Sequence, residues 1–157
     1  MSSVTCYKAP QNYPVRIFLA GSIEQGKAVD WQNVVTNHVT TRFSDVVVLN
    51  PRGDDWDASW VQSMHNAQFY TQVTWELNAQ HGADIIFMHF DGSTMSPISL
   101  LELGLFAASG KLIVSCAPEF WRRGNVEMVC FRYGIPLCDN LTDALSFLDR
   151  RIESRQR

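Results

Sequence analysis

Two carboxylates in apolar company are the first residues in this chain that could do chemistry. In the segment SPISLLELGLFAASGK (96–111), Glu102 is the only charged residue between Asp91 and Lys111. At helical spacing its neighbours are Ile98, Ser99, Leu105 and Phe106. An ionised carboxylate buried there without partners costs on the order of several kcal/mol, so it must be hydrogen-bonded, paired, protonated or put to use. The plainer alternative is a lone glutamate on a partly exposed helix face. Glu76 lies in QVTWELNAQHGADIIFMHF (72–90), near the end of a helix that feeds a strand. Taken alone it reads as a solvated helix residue. Together the two could supply an ionised group that attacks a sugar carbon and an acid that delivers a proton to the departing group, as glycosidic cleavage requires.

Two loops add ligand-binding chemistry. LNPRGDDWDASW (49–60) carries Asp54, Asp55 and Asp57 among Arg52, Trp56 and Trp60, directly after a strand. Aromatic faces stack on bases or sugars, and carboxylates or arginine bind hydroxyls, base edges or phosphate. The alternative is a long acidic turn with its tryptophans tucked onto the core. The stretch from Gly21 to Ala28 nearly matches a phosphate-binding loop between a strand and a helix. Ala28 lacks the hydroxyl that holds Mg²⁺, Glu24 adds negative charge, and no partner aspartate is evident after the third strand. A degenerate phosphate-loop protein is therefore the distant alternative, although the turn at Gly21 and Ser22 can still cradle a sugar or phosphate through backbone N–H groups. Cys6, Cys116, Cys130 and Cys138 lack C-x-x-C spacing and read as reduced core thiols. His38, His65, His81 and His89 show no zinc-ligand spacing, so neither a metal nor another cofactor is expected.

These residues need a scaffold, and apolar runs alternating with helical patterns supply one. Strands are expected at 15–20, ending at Gly21, and at 46–49, 84–90, 112–116 and, weakly, 136–138. Helices are expected at 28–40, 66–80, 97–109, 126–132 and 141–152, with Asn140 capping the last. Right-handed crossovers then give an α/β three-layer sandwich with a five-stranded parallel sheet in the flavodoxin-like order 2-1-3-4-5. Ligands bind beyond the carboxyl ends of such strands, which points to Gly21–Ser22, 50–60, 91–99 and 117–125.

The 157 residues, 46% hydrophobic and 18% charged, suit one domain, read as 15–157 behind an N-terminal extension of 1–14. A net charge of −3 gives no footprint for nucleic acid, so a small molecule is the expected partner. No secretory core or membrane-spanning run is evident, which predicts a soluble, cytoplasmic protein.

Taken together, IFLAGSI, LNPRGDDWDASW, QVTWEL, ADIIFMHF and SPISLLELGLFAASGK resemble the nucleoside 2-deoxyribosyltransferase-like family over about residues 15–139. The segment from Glu102 to Lys111 is the most specific part. The resemblance implies a flavodoxin-like fold, a homo-oligomer (dimer or higher), and a covalent deoxyribosyl intermediate on the motif glutamate. It implies Glu102 as nucleophile and Glu76, in place of the usual aspartate, as the group that handles the base proton. Ser96 matches the sugar-end position, where a serine goes with a 5′-phosphate, and Asn125 falls near an asparagine that a neighbouring subunit can contribute. Phe18 stands where a tyrosine hydroxyl usually positions the nucleophile, and Pro97-Ile98-Ser99 replaces a glycine-rich approach. With Gly21, Ser22, Asp55, Trp56, Asp91 and Ser99, these residues form the expected substrate site. The expected activity is cleavage or transfer at the N-glycosidic bond of a 2′-deoxynucleoside or its 5′-monophosphate. The substitution at Phe18 keeps a second class open, a non-catalytic nucleotide sensor on the same fold.

Overall fold

The computed structural model describes residues 15–23, 29–52 and 59–157. Its strands are β1 (Val15–Gly21), β2 (Val46–Leu49), β3 (Ile85–Phe90), β4 (Leu112–Cys116) and β5 (Leu137–Cys138). Its helices are α1 (Trp31–Arg42), α2 (Ala67–Gly82), α3 (Pro97–Phe106), α4 (Arg123–Tyr133) and α5 (Leu141–Arg155), with a 3₁₀ turn, Ala107–Ser109, extending α3. The strands form one sheet in the order β2-β1-β3-β4-β5, and every pairing is parallel. This is the topology the alternation of strand and helix patterns predicts.

Apolar side chains on both faces of the strands are what a parallel sheet covered on two sides demands. Ile17, Leu19, Ile85, Phe87 and Ile113 face Trp31, Val35 and Val39 of α1 and Ala144, Leu148 and Ile152 of α5. Phe18, Ala20, Ile86, Met88, Phe90 and Val114 face the other layer, formed by Leu103 and Phe106 of α3, Val126 and Cys130 of α4, and Trp75 and Ala79 of α2. Leu148 and Ile152 are fully buried, and each such side chain contributes about 1.5–3 kcal/mol.

Capping residues set the helix boundaries. The Asp30 side chain accepts from the Asn33 N–H, so α1 begins at Trp31, later than periodicity alone suggests. Asn66 caps α2 through the Phe69 N–H, and Asn140 caps α5 through the Asp143 N–H as expected. α4 starts three residues before the expected 126, and α5 runs three past the expected 152. Among the described residues, no helix is long and apolar enough to cross a membrane.

Candidate active site

Pro97 occupies the first turn of α3, where its missing N–H is no loss, and Ser96 precedes it in the left-handed conformation at φ 46°. One turn further in, Glu102 shares the buried face of α3 with Ser99, Leu103 and Phe106, and only 8% of it is exposed. Its carboxylate meets α2. Gln80 Nε2 donates to Glu102 Oε1 at 2.8 Å, and one turn earlier Gln72 Nε2 donates to Glu76 Oε1 at 2.9 Å. Residues 72, 76 and 80 are spaced by four and line one side of α2.

Burial dominates the electrostatics of this pair. It lifts the Glu102 carboxyl from 4.5 to about 7; the Gln80 hydrogen bond opposes the rise and the charge of Glu76 adds to it. Burial also raises Glu76, against the Gln72 hydrogen bond. The two carboxyls are thus brought into one electrostatic unit, and deprotonating both is unfavourable over a range where exposed glutamates are ionised.

A second cluster sits at the carboxyl ends of β1 and β3. Ser22, Thr94 and Ser96 are each at most 4% exposed, and their hydroxyls lie 2.7–2.8 Å from one another. The Asp91 N–H donates to Ser22 Oγ at 2.9 Å, and the Thr94 hydroxyl reaches the Asp91 carbonyl at 3.0 Å. Gly21 closes this approach: its φ is 138°, and a Cβ there would sit 2.1 Å from the His89 carbonyl oxygen. Only glycine fits where the end of β1 lies this close to its register partner His89 on β3. Asp91 Oδ1 accepts from the Ser93 N–H and hydroxyl at 2.8 and 2.6 Å. Partial burial pushes the Asp91 carboxyl upward, but the Ser93 bonds, the nearby His89 and the Val29 N–H together hold it below its usual value. Burial likewise drives His89 down to about 4, so its ring is neutral at pH 7.

Of the expected site residues, Glu102, Glu76 and Ser99 lie on the two helices that form the carboxyl pair, and Gly21, Ser22, Asp91 and Ser96 gather at the strand ends. Phe18 is 1% exposed and packs in the core, its ring 6.3 Å from Trp75, so it brings no polar atom to Glu102. Asn125 is exposed and lines a groove of about 350 Å³ with Leu100, Leu103, Gly104, Trp121 and Arg122. That groove follows the α4 side of α3, whereas Glu102 projects toward α2. Asp55 and Trp56, with Asp54 and Asp57, lie outside the described residues, as do Glu24, Gly26, Lys27 and Ala28 of the phosphate-loop-like stretch. The sequence reading missed Gln80, Gln72 and Thr94; spacing by four around Glu76 was the available signal for the two glutamines. Among the described residues, no group of three or more His, Cys, Asp or Glu side chains is arranged to hold a metal ion.

Comparison with known proteins agrees with this architecture. A conserved protein from Enterococcus faecalis has a similar fold, with a TM-score of 0.63 at 10% identity, over 87% of this chain and 98% of its own. No curated protein sequence gives a significant match. The model of the family described as nucleoside 2-deoxyribosyltransferase like matches residues 14–120, most of the chain and all of β1 through β4. The chain belongs to the nucleoside 2-deoxyribosyltransferase-like family.

Proposed function

We propose that the chain cleaves or transfers at the N-glycosidic bond of a 2′-deoxynucleoside or its 5′-monophosphate, through a covalent deoxyribosyl intermediate on Glu102. The observation that carries this reading is the buried Glu102, coupled to Glu76 and held by one neutral donor. Glu102 carboxylate attacks C1′ as the C1′–N bond breaks, and the bonding electron pair leaves with the base. Glu76, or a water it holds, supplies the proton the base takes up. A second base or water then attacks C1′ from the opposite side as the Glu102–C1′ bond breaks and its electron pair returns to Glu102; the attacker gives its proton to Glu76, and the anomeric configuration is retained.

Burial raises both carboxyls, so the resting pair holds a proton more readily than exposed glutamates do. The reactive arrangement has that proton on Glu76 and a negative Glu102, the form that the Gln80 donor stabilises. The reaction therefore needs one proton on Glu76 and none on Glu102. Asp55, Trp56 and Asp91 are proposed to bind the base and sugar, with the Gly21, Ser22, Ser96 and Ser99 region at the sugar end. An oligomer is proposed as the working unit: Ile98, Leu101 and Leu105 on α3 are 62%, 68% and 56% exposed, more apolar surface than a free helix usually leaves to water.

A second reading, a nucleotide-binding sensor without turnover, is favoured by Phe18, which leaves no hydroxyl on β1 for the carboxyl pair. Incubating the protein with the four deoxynucleosides and their 5′-monophosphates separates the two. Free base by chromatography, and a glycosylated protein by intact mass, both lost in Glu102→Gln, are expected. Ligand binding without base release in the wild type would leave the sensor.

A further inference from the structure

Gln80 is fully buried, and it is an expensive residue to keep there. Its Nε2 bonds Glu102 at 2.8 Å, while its Oε1 has no hydrogen-bond partner among the described residues. An apolar side chain of the same length would fill this space without an orphaned carbonyl oxygen, so fold stability alone does not account for an amide. The other oxygen of Glu102, Oε2, accepts no hydrogen bond among the described residues, and the side chain keeps a small opening to the outside.

We propose that Gln80 is the positioning residue for Glu102: it fixes Oε1 of the carboxylate and leaves Oε2 to form the bond to the sugar carbon. This rests on the reading of Glu102 as nucleophile. In the step, Oε2 bonds C1′, the C1′–N electron pair leaves with the base, and Gln80 gives up no proton. Its N–H favours the charged carboxylate over the neutral acid and restricts rotation of the carboxyl plane. The charged groups around the pair do not duplicate this. Glu76, one turn before Gln80 on α2, repels the negative form. Lys111 places its Nζ on the Gln80 and His81 carbonyls, and the His81 ring lies edge-on against Phe106 at 5.1 Å. α3 itself carries no other charge.

The test replaces Gln80 with Met, which keeps length and removes the donor. With the substrate that releases base, kcat should fall about 10- to 100-fold with KM within about twofold, and the acidic limb of the rate profile should move to higher pH. A variant with wild-type kcat and pH profile overturns the proposal. A direct titration of the ¹³C-labelled Glu102 carboxyl needs no turnover: its midpoint, about 7 in the wild type, should rise in Gln80→Met, and an unchanged midpoint overturns the proposal. An inactive wild type would remove the nucleophile reading, while this titration still decides what Gln80 does to Glu102. Should the variant not fold, the side-chain NH₂ signals of Gln80 in the wild type decide. They should move with the Glu102 midpoint and lose that movement in Glu102→Gln; signals insensitive to pH refute the contact.

Discussion

Replacing Glu102 with Gln should make the protein more stable at pH 8 and change little at pH 5. In the folded chain the carboxyl titrates at about 7 instead of 4.5, and the side chain is 8% exposed. An acid whose folded value is raised holds its proton more tightly when folded. Its contribution is therefore fully present below pH 4.5, and it is lost as pH rises through 7. The difference corresponds to about 3 kcal/mol against the folded state once Glu102 is ionised. Glutamine carries no charge at any pH, and its carbonyl oxygen can accept from Gln80 Nε2 in place of Oε1. The variant should thus avoid most of that cost without opening a cavity. For a chain of this length the gain corresponds to a melting temperature higher by roughly 4–12 °C at pH 8. Urea unfolding and thermal melts of both proteins at pH 5, 6.5 and 8 measure it. Parallel pH profiles, or a variant less stable at pH 8, would refute the placement of Glu102 in a desolvated site.

Glu76→Gln removes the charge that pushes Glu102 upward, so the Glu102 midpoint should fall, as a carboxyl titration by NMR would detect. Gly21→Ala places a Cβ 2.1 Å from the His89 carbonyl oxygen and should cost about 2 kcal/mol or more, measured by urea denaturation; a loss under half of that would contradict the close approach. Ser96→Asp should lower kcat/KM for a 5′-monophosphate more than for the nucleoside, because a fixed negative charge would face the phosphate; equal losses would end the role of Ser96 in discrimination. Burial pushes the Cys116 and Cys130 thiols to about 11 and about 12, so iodoacetamide should modify them at pH 8 only after denaturant is added, as intact mass would report.

β1, β2 and β3 were legible because each is a short apolar run closed by Gly21, Asn50-Pro51 or Asp91-Gly92, and β4 because Leu112–Cys116 is uniformly apolar but for Ser115. β5, only Leu137–Cys138, was faint because a two-residue edge strand has almost no pattern of its own. Helix starts were less legible: Asp30 caps through a side-chain bond that competes with continuing the helix, and periodicity does not register it. Glu102 and Glu76 stood out because charge inside an apolar segment is conspicuous. Gln80 did not, since a neutral amide near a helix end resembles a surface residue until its partner, 22 positions away, is seen. The hydroxyl cluster joins Ser22 to residues more than 70 positions away and follows only from the pairing of β1 with β3.

That cluster also implies a proton count. Ser22, Thr94 and Ser96 own three hydroxyl protons, yet four short oxygen contacts compete for them: three among themselves and one to the Asp91 carbonyl. Among these contacts, four oxygen acceptors outnumber three hydroxyl protons. A guest arriving with a hydrogen of its own, such as a sugar hydroxyl, could donate into this ring and leave it intact. A fully ionised phosphate brings none, so it would have to draw a hydrogen from the ring or from a neighbouring backbone N–H. Which guests enter easily would then depend on whether they arrive as lenders or borrowers of hydrogen, before size or charge is considered.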